Sequence, residues 1–190
     1  MTVPDTKKAT DGPPIGSVIE PLRKALAATW AFYVQSQTFH WNVEGPEFLP
    51  LHEFFGQLYR DAQWTTDDLA ERLRTLGTKA PTSPEEIGKD SGITFADTVP
   101  DAKGMTEKLA GDNERVVAAL DEAWKTAEAA GEAGIANTLQ GRIDQHKKWG
   151  WMLKALLSKA TIEDIAKRPR NERLGELLGK TTKGDDDDEG

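Results

Sequence analysis

The stretch QTFHWNVEGPEFLPLHEFFGQLYRDAQWTTDDLAER, residues 37–72, decides how this chain folds and what it can hold. His40 and His52 lie in it twelve residues apart, and Asp67 and Glu71 follow as an i, i+4 carboxylate pair. Imidazole and carboxylate together suit Fe(II), Zn or Mn. Gly45-Pro46 interrupts the helical pattern after His40, and a second amphipathic run starts near Pro50 and continues to about Leu76. If His52 and Asp67 share that helix, their fifteen-residue separation places them roughly 22 Å apart along the axis. No single ion can touch both. The spacing leaves two alternatives: no metal site, or one made where two copies of the helix run antiparallel and His52 of one copy meets Asp67 and Glu71 of the other.

On the N-terminal side, Val18, Ile19, Leu22, Leu26, Ala27, Trp30 and Tyr33 recur at three and four, which predicts a helix from about Ile15 to Trp41. The second helix, from about Leu51 to Leu76, carries Phe54, Phe55, Leu58, Leu69 and Leu73, with Gly77 as its stop. Residues 78–102 are too long for a tight turn, and Ser83 followed by Pro84 marks a short helix within them. A third helix is expected from about Ala102 to Ala130 and a fourth from about Ile135 to Ser158, separated by a turn between Gly131 and Gly134. No strand-like alternation occurs. The expectation is an all-α fold, a four-helix bundle whose second and third helices are joined by a long crossover, as in ferritin-like folds.

Outside the bundle, taken as 15–158, residues 1–14 read as a disordered arm whose only cations are Lys7 and Lys8. Residues 159–180 read as an extension with short helices, and 181–190 as an acidic disordered tail. No apolar run is long enough to span a bilayer, and MTVPDTKKATDGPPIG has no signal core, so the expected location is cytoplasmic, with no membrane partner. Zero cysteines exclude disulfides and thiolate ligands. A net charge of −8 repels nucleic acid unless a basic patch or arm is present.

The residues of the central stretch also carry a resemblance. His40-Trp41-Asn42-Val43, Gly45, Phe48, Leu51-His52, Phe55, Tyr59, Asp67 and Ala70-Glu71-Arg72 resemble the Dps family of mini-ferritins. Gly131-Glu132, Ala136, His146, Lys148 and Trp151-Met152-Leu153 resemble that family's fourth helix, so the match runs over about residues 18–158. The resemblance implies a dodecameric cage with ferroxidase sites at its two-fold interfaces. His40 and His52 of one subunit, with Asp67 and Glu71 of its neighbour, would bind iron there. Fe(II) would be oxidised, preferably by hydrogen peroxide rather than oxygen, and stored as Fe(III) mineral, protecting against oxidative damage. The Glu-x-x-His pairs of intrachain di-iron bundles are absent, since Gln37, Leu49 and Ile143 stand three residues before the histidines.

Two positions depart from the family pattern. Gly56 stands where an Asp ligand is usual, one turn after His52, and Asn137 stands where an Asp near the iron-entry pore is common, leaving Glu132 and Asp144 as acidic pore candidates. His146 reads as a packing or hydrogen-bonding residue. Trp41 and Trp64 read as packing residues, with a subsidiary role as electron donors beside the iron. Two rival functions remain: a nucleoid protein that binds DNA, expected to be weak or absent with so few cations on the arms, and a cage that has lost ferroxidase activity through Gly56.

Overall fold

The computed structural model describes residues 12–158, which form an all-helical bundle with no strand among them. The C-terminal extension, the acidic tail and all but the last three residues of the N-terminal arm lie outside the described residues. A single 3-10 turn, Ile15–Val18, leads into α1 (Ile19–Asn42). It is followed by α2 (Phe48–Thr75), α3 (Pro84–Gly88), α4 (Ala102–Ala129) and α5 (Ala133–Leu157). Among the described residues no helix is long and apolar enough to cross a membrane.

α2 begins three residues before the Leu51 start read from the pattern. Pro50 did not delay it, because a proline in the first turn lacks only an N–H that has no intrahelical partner there. α5 likewise begins at Ala133, so Gly134 lies inside the helix and not in the turn. Gly77 ends α2 as expected. At φ 80° it lets its own N–H reach Arg74 O and the Thr78 N–H reach Leu73 O, a Schellman closure repeated at Gly131 after α4. Ser83 caps α3 by accepting from the Glu86 N–H at 3.1 Å, and Asp101 caps α4 by accepting from Gly104 at 2.7 Å.

The core is built where α1 packs on α2 and α4, and α4 on α5. Leu22, Leu26, Phe55, Leu69 and Leu120, from the three- and four-spaced stripes, are buried there together with Phe32 and Phe39, which the first-helix stripe left out in favour of the half-buried Trp30 and Tyr33. The connection from α2 to α4 climbs alongside α1. Arg23 donates to Thr78 Oγ1 and Lys79 O, Trp30 meets Phe95 edge-on, and the Ala96 N–H donates to the buried Gln35. At the far end, Pro100–Lys103 share a cleft with residues 42–47. The crossover therefore traverses the bundle, and α4 starts beside the α1–α2 turn that presents the two histidines.

Candidate metal centre at the α1–α2 corner

His40 sits in the last turn of α1, so its carbonyl has no i+4 donor within that helix. His52 sits in the second turn of α2. The turn between them, with Gly45 at φ 99°, folds the two helices antiparallel and brings the rings together. His52 Nδ1 lies 2.8 Å from His40 O, and His40 Nδ1 lies 2.7 Å from His52 O. A carbonyl only accepts, so both Nδ1 atoms carry a proton, and in the neutral ring Nε2 is then the atom with the lone pair. The rings stack with centroids 3.8 Å apart. Phe48 flanks His52 and Tyr59 flanks His40, each at 5.1 Å. The result is two half-buried imidazoles locked in the tautomer that ligates metal, with neither Nε2 bonded to a described residue.

Asp67 and Glu71 lie farther along the same continuous helix and are exposed. α2 is unbroken between His52 and Asp67, so their separation of roughly 22 Å holds. Among the described residues, no three His, Asp or Glu side chains of one chain come together. Arg72 pairs with Asp68 at 3.2 Å, and Arg74 donates to Thr78 O, so neither arginine neutralises the two carboxylates. Trp41 and Trp64 are exposed at 66% and 76%, on the surface beside these groups instead of packed within the chain.

His146 is fully buried and away from this corner. Its Nδ1–H donates to Asn113 Oδ1 at 2.8 Å, while Asn113 Nδ2 donates to His146 O at 2.9 Å. Burial, with the Arg142 charge adding to it and Asp61 opposing, pushes its pKa down to about 3. It is a hydrogen-bonding residue, as expected. Of the pore candidates, Asn137 and Asp144 are exposed on α5 and Glu132 is half-buried just before it.

Several residues escaped the sequence reading. Asp61 on α2 accepts from Arg142, and from Trp149 Nε1 at 3.1 Å, both on α5. Arg60 reaches back over Gly56 toward His40: a Cβ at Gly56 would stand 3.3 Å from His40 Nδ1 and 3.4 Å from Arg60 Nη1. The i+4 spacing of His52, Gly56 and Arg60 was visible, but nothing in the sequence singled the arginine out from an ordinary solvated face.

A ferritin-like domain model matches residues 19–162 of the chain. The chain is 32% identical to the DNA protection during starvation protein 2 of Bacillus anthracis over 142 residues, covering 75% of this chain and 97% of that protein. It belongs to the Dps family. Solved relatives agree: Dps from Staphylococcus aureus superposes with a TM-score of 0.73 at 30% identity, over 76% of this chain and 97% of that one. The Vibrio cholerae Dps protein, described as a member of the ferritin-like diiron-carboxylate superfamily, gives a TM-score of 0.72 at 27% identity, over 76% and 91%. The all-α ferritin-like fold expected from the helical stripes is the fold of this Dps chain.

Proposed function

We propose that this Dps protein oxidises Fe(II) at sites shared between subunits and stores the product as Fe(III) mineral within a dodecameric cage. The observation that carries the reading is the reciprocal His40–His52 pair. Both rings are held with Nε2 turned away from the bonded Nδ1, and among the described residues no group of three His, Asp or Glu in one chain completes a site. Iron is the substrate. Neutral imidazoles anchor Fe(II), while Asp67 and Glu71 of the neighbouring subunit supply the carboxylates that favour Fe(III). Hydrogen peroxide is the preferred oxidant. Taken over two sites, two Fe(II) yield two electrons, and one peroxide takes them with two protons to give two waters.

Assembly has its own support. Phe48, against the His52 ring, and Trp64, beside Asp67, are exposed large apolar side chains on the single chain, as are Trp41, next to His40 in sequence, and Leu49. Apolar exposure of this kind marks a surface that is covered in the working protein. A second copy of α2, antiparallel, covers it and brings the carboxylates to the histidines.

The test is stopped-flow absorbance after Fe(II) is loaded anaerobically and mixed with peroxide, beside His40→Ala and His52→Ala. A saturable fast phase lost in both variants is the expected result, and equal rates in all three proteins would refute the site. They would instead favour the cage that has lost its activity.

The relatives are named for protection of DNA, and the same chemistry accounts for that protection here by withdrawing Fe(II) and peroxide together. With a net charge of −8, direct DNA binding is weak or absent at physiological salt. Retention of duplex in a gel shift at moderate salt would contradict this.

A further inference from the structure

Position 56 holds more than a missing ligand. Gly56 lies one turn after His52 and one turn before Arg60 on α2. The nearest atoms to the Cβ it lacks are His40 Cε1 and Nδ1, both at 3.3 Å, and Arg60 Nη1 at 3.4 Å. An imidazole of the site and a guanidinium thus converge on the space where the family usually places a carboxylate. Helix side chains lean toward the N-terminus, so Arg60 extends back over Gly56 toward the histidines and away from Asp67. Its Cζ lies 5.2 Å from the Tyr59 ring centroid, and Tyr59 in turn flanks His40. The ring face attracts the cation and holds it there.

We propose that Arg60 takes the place of a second metal ion, so that each shared site binds one divalent cation per subunit. The inference rests on reading His40, His52, Asp67 and Glu71 as the Fe(II) site. Compared with an Asp at 56 and an uncharged residue at 60, the pair Gly56 and Arg60 removes one negative charge and adds one positive. The sum, +2, is the charge of one divalent ion. A guanidinium has donors and no acceptor, and it does not lose its proton, so Arg60 can neither ligate the ion nor become neutral to admit another. It is a positioning residue that sets metal number.

Co(II), which binds such donors without being oxidised by peroxide-free buffer, serves as the probe. It would be titrated into the assembled protein by calorimetry and visible absorption, with circular dichroism and assembled mass checked for every variant. Wild type and Arg60→Lys should each bind one Co(II) per subunit. Arg60→Ala should bind that ion at least about tenfold tighter, since a like charge beside it is gone. Gly56→Asp alone should still bind one, because an Asp at 56 sits i, i+4 from Arg60 and pairs with it. Gly56→Asp combined with Arg60→Ala should bind two. Two ions in wild type, two in Gly56→Asp alone, or unchanged affinity in Arg60→Ala would each overturn the inference while leaving the site intact. No Co(II) binding by wild type would overturn the site and the inference together.

Discussion

Asn113 Nδ2 donates to the carbonyl of His146 at 2.9 Å and lies directly over Gly150, one turn on, where an added Cβ would stand 2.9 Å from it. The histidine corner repeats the arrangement: His40 donates to the carbonyl of His52 and lies over Gly56, again one turn on. A helical carbonyl at i points toward the N–H of i+4, so a side chain that bonds it from outside must pass the Cβ of i+4. Glycine at that position leaves the passage open. Mid-helix glycines each cost about 1 kcal/mol against alanine; Gly150 makes room for a hydrogen bond that a Cβ would block at 2.9 Å, whereas at Gly56 the 3.3 Å approach asks His40 to give by only a few tenths of an ångström.

Gly150→Ala should therefore destabilise the protein despite the gain in helix propensity. Asn113 is held at both ends of its amide and has no free direction in which to retreat. In a double-mutant cycle by urea unfolding, Gly150→Ala should cost about 1–3 kcal/mol alone and far less in an Asn113→Ala background. Additive effects would show that the two residues do not meet.

The pH dependence of stability follows from His146. Its folded pKa is depressed to about 3, from 6.5 when unfolded, so the unfolded chain binds the extra proton between those values. The contribution is fully present above about pH 6.5 and is lost as pH falls toward 3, at about 1.4 kcal/mol per unit. Thermal midpoints recorded from pH 7 to 4 should fall less steeply in His146→Gln than in wild type. Parallel curves would assign the acid limb to other groups.

Asp61 joins α2 to α5 through Arg142 and Trp149. Asp61→Ala removes the acceptor from both donors, so it should lower stability by about 2 kcal/mol and shift Trp149 emission. Asp61→Asn should recover part of the loss, since its amide oxygen still accepts from the indole. An unchanged urea midpoint in Asp61→Ala would show that the link carries no weight.

Trp64 is the most exposed large apolar residue of the described chain, at 76%. Trp64→Glu should leave the helical signal of the bundle intact and reduce assembled mass in light scattering. A full-mass cage from this variant would show that the surface lies outside any subunit contact.

The fold was legible because it rests on repeated local signals. Val18, Leu22, Leu26 and Leu73 recur at helical spacing, and Gly77, Ser83 and Gly131 mark the ends by chemistry that needs no partner far in sequence. His40 and His52 stood out by residue type and motif, and the unbroken α2 retained the separation that keeps His52 and Asp67 of one chain from meeting. Three features were not legible. The start of α2 at Phe48 was hidden because Pro50 reads as a breaker unless it is known to lie in the first turn. Gly56 read as a lost ligand, because its second role depends on the approach of His40 from another helix. Asp61 was lost among surface carboxylates, since its partners Arg142 and Trp149 lie more than eighty residues away.

The central claim is that each site draws its histidines from one subunit and its carboxylates from another, and subunit mixing tests it most directly. Homogeneous His52→Ala and Asp67→Ala proteins would each be assayed for peroxide-dependent Fe(II) oxidation, then dissociated, mixed in equal amounts and reassembled. A shared site predicts that both are slow alone and that the mixture regains activity, because each mixed pair has, of its two sites, one in which intact His52 faces intact Asp67. A mixture no faster than its components, with mixed assembly verified by mass, would contradict the account.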